Sequence, residues 1–260
     1  MFKELNEDIL AGIKKIPVIM FISLTDLRSK YKRTILGPLW IVLGLAAGSV
    51  GLGVLWSVLW NVPTADMLPR ITVGFLVWIL ISATIVEGSN SLISQETLIK
   101  NINLPFSFFP LLSLCRQIIN FAHSLLIIIV LYLFFPPEDY YNIIWFIPAL
   151  IITLVNMFLL TFLLGVLSAR FRDIQPLIAA IMPMLFFLSP VLFRIQQTES
   201  ISWLMWLNPL TYVISILRDP LLGQKPDMIF FIVMSAFTIT LYFLLAFLIK
   251  KKVNNIVYWV

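Results

Sequence analysis

Cysteine occurs once, as Cys115, and histidine once, as His123. One thiol excludes an internal disulfide and any multi-cysteine metal site, and Cys115 reads as a buried, inert group. His123 lies in an apolar stretch without a His, Cys or Asp beside it, so it reads as a packed side chain rather than a metal ligand. Charge is also scarce: 12% of the 260 residues are ionised, about half of the roughly 25% usual in a soluble domain. No stretch fits G-x-x-x-x-G-K-[ST], G-x-G-x-x-G after a strand, or H-E-x-x-H. With a single histidine, a His-based triad and a metal site cannot coexist, and no serine or carboxylate falls in a nucleophile motif. The chain is therefore expected to be no enzyme and to need no cofactor of its own.

Apolar residues fill this space. They make up 60% of the chain, and the mean hydropathy is +1.00. Uncharged runs cover Thr34 to Ala65, Gln117 to Pro137, Tyr140 to Ala169, Ile174 to Phe193 and Met228 to Ile249, each longer than the roughly 18 residues that mark a membrane span. A sixth run, Ile71 to Val86, is closed by Glu87. The expected fold class is an all-α integral membrane protein with six transmembrane helices, the spans occupying 34–260 behind an N-terminal segment, 1–33.

The isoelectric point near 9.4 does not point to nucleic acid, because the basic residues sit beside apolar spans, where lipid headgroups and topology account for them. With both termini in the cytosol, alternating spans place fourteen cations inside: Lys3, Lys14, Lys15, Arg28, Lys30, Lys32, Arg33, Lys100, Arg116, Arg170, Arg172, Lys250, Lys251 and Lys252. Four remain outside: Arg70, Arg194, Arg218 and Lys225. This asymmetry sets the orientation.

No cleavable signal peptide is expected, since residues 1–33 contain no continuous apolar core. Phe2, Leu5, Ile9, Ile13 and Ile16 recur at helical spacing, while Lys3, Glu4, Glu7, Asp8, Lys14 and Lys15 occupy the remaining positions, the pattern of an amphipathic interface helix that Pro17 should end. The first span, Leu36 to Trp60, carries Gly44, Gly48, Gly51 and Gly53, small residues that let helices approach closely within one subunit or between two. After the second span, Ser94 to Asn103 predicts a short cytosolic helix closed by Pro105. Its length exceeds what a simple turn needs and points to a contact surface. In "SARFRDIQP", 168 to 176, Asp173 can pair with either arginine or cap the next helix. Between the last two spans, "ISWLMWLNPLTYVISILRDPLLG" is too apolar for a solvated loop, yet Asn208-Pro209 and Asp219-Pro220 interrupt it. Two short external re-entrant helices bordering a pathway fit it.

Ionised groups inside spans are costly, and Glu87 and Arg116 fall near the cytosolic ends of adjacent antiparallel spans, where an ion pair can form. No chain of acids follows, which argues against proton coupling. The rings of Trp40, Trp56, Trp60, Phe75, Trp78, Phe186 and Phe187 lie within spans. They serve either as packing or as a surface on which sugar rings slide.

Several of these passages together resemble the permease subunits of type-two ABC exporters for lipid-linked polysaccharide, the O-antigen, teichoic acid and capsule export family. The matching residues are "YKRTILGPLW" (31 to 40), "LIKNINLPFSFFPLL" (98 to 112), "ARFRDI" (169 to 174), "FFLSPVLF" (186 to 193) and "NPLTYVISILRDPLLG" (208 to 223), in the family's order. One departure is "IKNINLP", where Asn101 and Leu104 replace an expected second basic residue. The resemblance implies a homodimer in the bacterial inner membrane, joined to two separate nucleotide-binding subunits that bind ATP and Mg and export an undecaprenyl-linked polysaccharide. It implies that Ser94 to Asn103 is a coupling helix, with Glu96, Lys100 and Asn101 as contacts. It implies that the first and fifth spans line the channel, with Trp40, Trp56, Phe186 and Phe187 toward the substrate, and Trp78 of the second span is expected to join them. Finally, it implies an external gate holding Trp203, Trp206, Asn208, Pro209 and Arg218. Two other readings share the plan: an ABC permease for a drug or small lipid, and a membrane enzyme acting on polyprenyl lipid, for which the loop at 136 to 141 offers only Glu138 and Asp139.

Overall fold

The computed structural model describes residues 2–192, 202–252 and 259. Among them every regular element is helical: α1 (Phe2–Ile13), α2 (Ile16–Tyr31), α3 (Leu39–Trp60), α4 (Thr64–Ser89), α5 (Glu96–Asn101), α6 (Phe108–Ser124), α7 (Leu126–Phe134), α8 (Phe146–Arg170), α9 (Ile174–Phe187), α10 (Ser202–Leu207), α11 (Pro209–Leu221) and α12 (Met228–Lys252). Single 3-10 turns precede α5 and α8. In a medium without water the backbone must satisfy itself within each segment, which is why the apolar runs become helices.

Five stretches are long and apolar enough to cross a bilayer: α3, α4, α6 with α7, α8 with its preceding turn, and α12. The run from Ile174 to Phe193, expected to be a full span, differs. Its helix, α9, stops at Phe187 after 14 residues, about 21 Å at 1.5 Å per residue against a hydrocarbon core of about 30 Å. The described residues thus hold five full-length spans and one short apolar helix where the sequence reading expects six spans; Phe193 lies outside the described residues.

Beyond α9 the chain turns through Ser189, Pro190, Val191 and Leu192, all buried. Buried non-helical backbone needs partners, and this turn has them. Arg218 Nη1 donates to the Pro190 carbonyl at 2.5 Å, Asn208 Nδ2 donates to Ser189 Oγ at 2.9 Å, and the Val191 amide donates to the Ser189 carbonyl at 2.7 Å. The turn lies against α4 at Gly74, where a Cβ would come within 2.8 Å of the Val191 carbonyl oxygen.

Helix α4 is the centre of the bundle and packs against α3, α6, α8, α9 and α11. Of its most apolar window 67% is buried, against 22% for α3, so α3 is a peripheral helix held chiefly along one face. That face is built on small residues: a Cβ on Gly48 would press on the Phe75 ring and one on Gly53 would meet Leu68, whereas Gly44 and Gly51 look into open space. Close approach of this kind drives helix association where lipid removes the hydrophobic advantage of burial.

At the N-terminus the helix break falls at Lys14 and Lys15, and Pro17 sits in the first turn of α2, where its missing N–H costs nothing. Helix α1 packs on α12 and α6, and α2 packs on α6. Leu5 and Ile19 are buried there.

Candidate functional site

The aromatic side chains divide into two groups. Trp78 of α4 and Phe186 and Phe187 of α9 come together with Phe75: ring centroids are 5.4 Å apart for Trp78 and Phe186, 5.3 Å for Phe186 and Phe187, and 5.9 Å for Phe75 and Phe186. The edge-to-face angles are those aromatic quadrupoles favour. These rings line a groove of about 530 Å³ between α4 and α9, with Ser82 as its only hydroxyl among the described residues and Met182 and Pro183 on the other wall. Phe187 is 64% exposed, so the groove opens outward. Trp40 and Trp56 do not join it. Trp40 is 55% exposed at the start of α3, and Trp56 packs edge-to-face on Trp60 at 5.8 Å.

One end of the bundle carries an ionic cluster. Arg116 Nη1 lies 3.2 Å from Glu87 Oε1, bringing together the two intramembrane ions singled out in the sequence. Two further partners join them. Asp26 of α2 receives Arg116 Nη2 at 2.5 Å, and Gln117 donates to the second Glu87 oxygen. The guanidinium therefore bridges α2, α4 and α6, which gives three helices one register. Nothing in the sequence signals Asp26, because it lies 90 residues from Arg116 in a segment that reads as surface.

At the same end, α5 projects from the chain between α4 and α6. The sequence reading places this helix at Ser94 to Asn103, and α5 itself spans Glu96–Asn101 behind a 3-10 turn at Ile93–Gln95. Lys100 Nζ donates to Glu96 Oε1 at 2.5 Å, and Asn101 Nδ2 donates to the Thr97 carbonyl at 2.8 Å. The Lys100 hydrogen bond and charge, with a smaller contribution from Arg172, hold the Glu96 carboxyl below its ordinary range. Glu96, Lys100 and Asn101 are exposed or nearly so, while Ile99 is buried, so α5 stands on one apolar foot and presents its polar face outward. Beside it, Arg170 lies 5.2 Å from the Phe171 and Trp259 ring centroids. Asp173 occupies the N-cap position of α9 without a side-chain capping bond.

The opposite end carries α10 and α11. Asn208 caps α11, its Oδ1 accepting from the Leu210 amide at 3.0 Å, and Pro209 follows as the first helical residue. Trp203 is 62% exposed, and Trp206 packs on Tyr212 and Phe230 at 5.8 and 6.1 Å. Arg218 is buried and holds the turn after α9, besides approaching Asp219 at 3.2 Å. Of the five residues assigned to this end, Asn208 and Arg218 thus converge on one feature, the buried turn at 189–192.

Another residue missed in the sequence is Asp8. Placed by periodicity on the solvated side of α1, its carboxylate instead accepts from the Phe106 and Ser107 amides, both at 2.8 Å.

The sequence is similar to those of known export permeases. The chain is 25% identical over 190 residues to the O-antigen export system permease protein RfbA of Myxococcus xanthus, covering 71% of this chain and 72% of that one. It is 23% identical over 208 residues to the protein of the same name from Klebsiella pneumoniae, covering 78% and 79%. Residues 19–222 match the model of the ABC-2 type transporter family, a span from α2 to the end of α11 that includes the aromatic groove, the ionic cluster and α5, and the chain belongs to that family as the membrane subunit of a transporter.

Proposed function

We propose that this chain forms a homodimeric permease that exports an undecaprenyl-linked polysaccharide, an O-antigen, across the bacterial inner membrane, with ATP and Mg bound by two separate nucleotide-binding subunits. The observation that carries this reading is the similarity to O-antigen export permeases over more than two thirds of both chains. The geometry supports it: a groove walled by edge-to-face aromatic rings offers many weak contacts to a sliding sugar chain and few polar groups to arrest it. The α9 helix and its buried turn, followed by α10 and α11, complete the crossing expected as the fifth span and form the external gate. Both termini face the cytosol, α5 receives the motion of the ATPase through Glu96, Lys100 and Asn101, and the open face of α3 with Gly44 and Gly51 meets the second subunit.

No covalent step occurs in this chain. Closure of the ATPase dimer displaces α5 and the segments joined to it, the seam between subunits opens, and the lipid-linked glycan moves from the inner leaflet past the groove. The direct test is a strain lacking the gene: it should retain undecaprenyl-linked O-antigen on the cytosolic side and regain surface O-antigen when the chain is restored. Normal surface O-antigen in that strain, or accumulation of a drug or a simple lipid instead, would overturn the reading.

A further inference from the structure

Helix α5 is joined to α4 through the 3-10 turn at Ile93–Gln95 and to α6 through Ile102 to Ser107, so motion of α5 reaches α6 through this second short connection. Its last two amides, those of Phe106 and Ser107, stand just before and at the N-cap of α6 and have no carbonyl of that helix to bond, and Ser107 makes no side-chain capping bond. The cap comes from 98 residues away. Asp8 Oδ1 accepts from the Phe106 amide and Oδ2 from the Ser107 amide, each at 2.8 Å, and Ser107 Oγ donates back to the Asp8 carbonyl at 2.7 Å. Gly12, one turn further along α1, faces the same spot, where a Cβ would stand 2.3 Å from Ser107 Oγ.

The same helix is fastened on its other side. Tyr242 of α12 donates to Asn6 Oδ1 at 2.8 Å, and the Phe2 ring lies parallel to the Tyr242 ring, with centroids 5.9 Å apart. Leu5, between the two fastenings, is fully buried. One end of α1 thus grips the exit of α5 and the other grips the last span.

We propose that Asp8 is a positioning residue that joins the N-terminal helix and the α5–α6 connection into one rigid unit, so that displacement of α5 reaches α12 as well as α6. The carboxylate suits this role because it has two oxygens for two amides and each bond is charge-assisted, about twice as strong as its neutral counterpart. This inference rests on the reading of α5 as the element the ATPase pushes, but the joint itself is observable without transport.

The experiment uses the full complex with its ATPase in vesicles, in a Cys115→Ser background, and measures polymer export, ATP hydrolysis and amide exchange separately. Asp8→Ala should speed exchange at Phe106 and Ser107 while membrane abundance and ATP hydrolysis hold, and should lower polymer exported per ATP roughly tenfold, within the range of ordinary coupling between sites. A second variant guards against a general packing defect: Gly12→Cys with Ser107→Cys places the two Cβ atoms about 3.2 Å apart, a few tenths of an ångström short of the roughly 3.5 Å at which the usual disulfide range begins, so a small outward shift of α1 lets the bridge close. Added to Asp8→Ala and oxidised, this cross-link should restore export, and reduction should abolish it again. Full export per ATP by Asp8→Ala, or export blocked by the cross-link in the presence of Asp8, would overturn the rigid joint. Unchanged amide exchange in Asp8→Ala would do so even if the parent complex exported nothing, a result that would count against the export reading and not against the joint.

Discussion

Arg116 offers the most quantitative check on how the bundle holds its register. Its guanidinium touches Glu87 and Asp26, and the three side chains are 27%, 33% and 47% exposed. Removing one partner from a fully buried pair costs about 3–5 kcal/mol, whereas a solvent-exposed pair contributes about 0–1 kcal/mol. Partial exposure places this cluster between the limits, so Arg116→Met should destabilise by about 2 kcal/mol, most of it from two carboxylates left facing each other without a cation. At roughly 2–4 °C per kcal/mol for a chain of this size, the midpoint of thermal unfolding should fall by about 4–8 °C. The assay is the fraction of detergent-solubilised protein that stays monodisperse after heating. Glu87→Gln combined with Arg116→Met should recover part of the loss, because one of the two uncompensated carboxylates is gone and its repulsion of Asp26 with it, and the double-mutant cycle should show a coupling energy of about 1 kcal/mol. Strict additivity of the two substitutions, with a fall below 1 °C for Arg116→Met, would refute the claim that this cluster sets the register.

Other outcomes follow from single contacts. Gly74→Val should destabilise by about 1–3 kcal/mol, because its Cβ would overlap the Val191 carbonyl in a packed core, and the same heating assay checks it. Asn208→Ala should cost about 1 kcal/mol through loss of the α11 cap and should also increase proteolytic nicking near the turn at 189–192. Lys100→Ala should move the Glu96 carboxyl up toward its ordinary range. Because that carboxyl is held low in the folded chain, the Glu96–Lys100 contact is complete above the ordinary carboxylate range and is lost only as pH falls through the lowered value; a carbon-13 titration of labelled glutamate reads the shift. Trp78→Ala and Phe186→Ala should slow polymer export more than they lower membrane abundance, whereas Trp40→Ala, outside the groove, should leave export per molecule close to wild type.

Local chemistry explains which parts of this architecture were legible in the sequence. Apolar runs uninterrupted by charge marked α3, α6 with α7, α8 and α12, because a span must satisfy its backbone internally and exclude ions. Glu87 and Arg116 stood out for the same reason. The run at Ile174 to Phe193 reads as one full span because composition alone cannot distinguish such a span from a short helix followed by a buried turn. What shortens it is tertiary: Arg218 and Asn208, which satisfy the turn, and Gly74, which makes room for it. Asp26 and Asp8 were invisible because their partners lie 90 or more residues away. Asp8 even occupies a polar position of an amphipathic pattern, where periodicity predicts solvent. Ring counts foretold an aromatic surface but not its membership, since whether Trp40 or Trp78 meets Phe186 depends on which helix packs beside α9.

The most direct test of the account is export by purified components in sealed vesicles. The chain, its nucleotide-binding partner, undecaprenyl-linked O-antigen and Mg-ATP are combined, and the polymer protected from an added glycosidase is followed over time. The account predicts that polymer changes sides only when both proteins and hydrolysable ATP are present, and that this chain alone hydrolyses none. Translocation by the chain without the partner, or an unmoved polymer in the complete system while ATP is consumed, would contradict it.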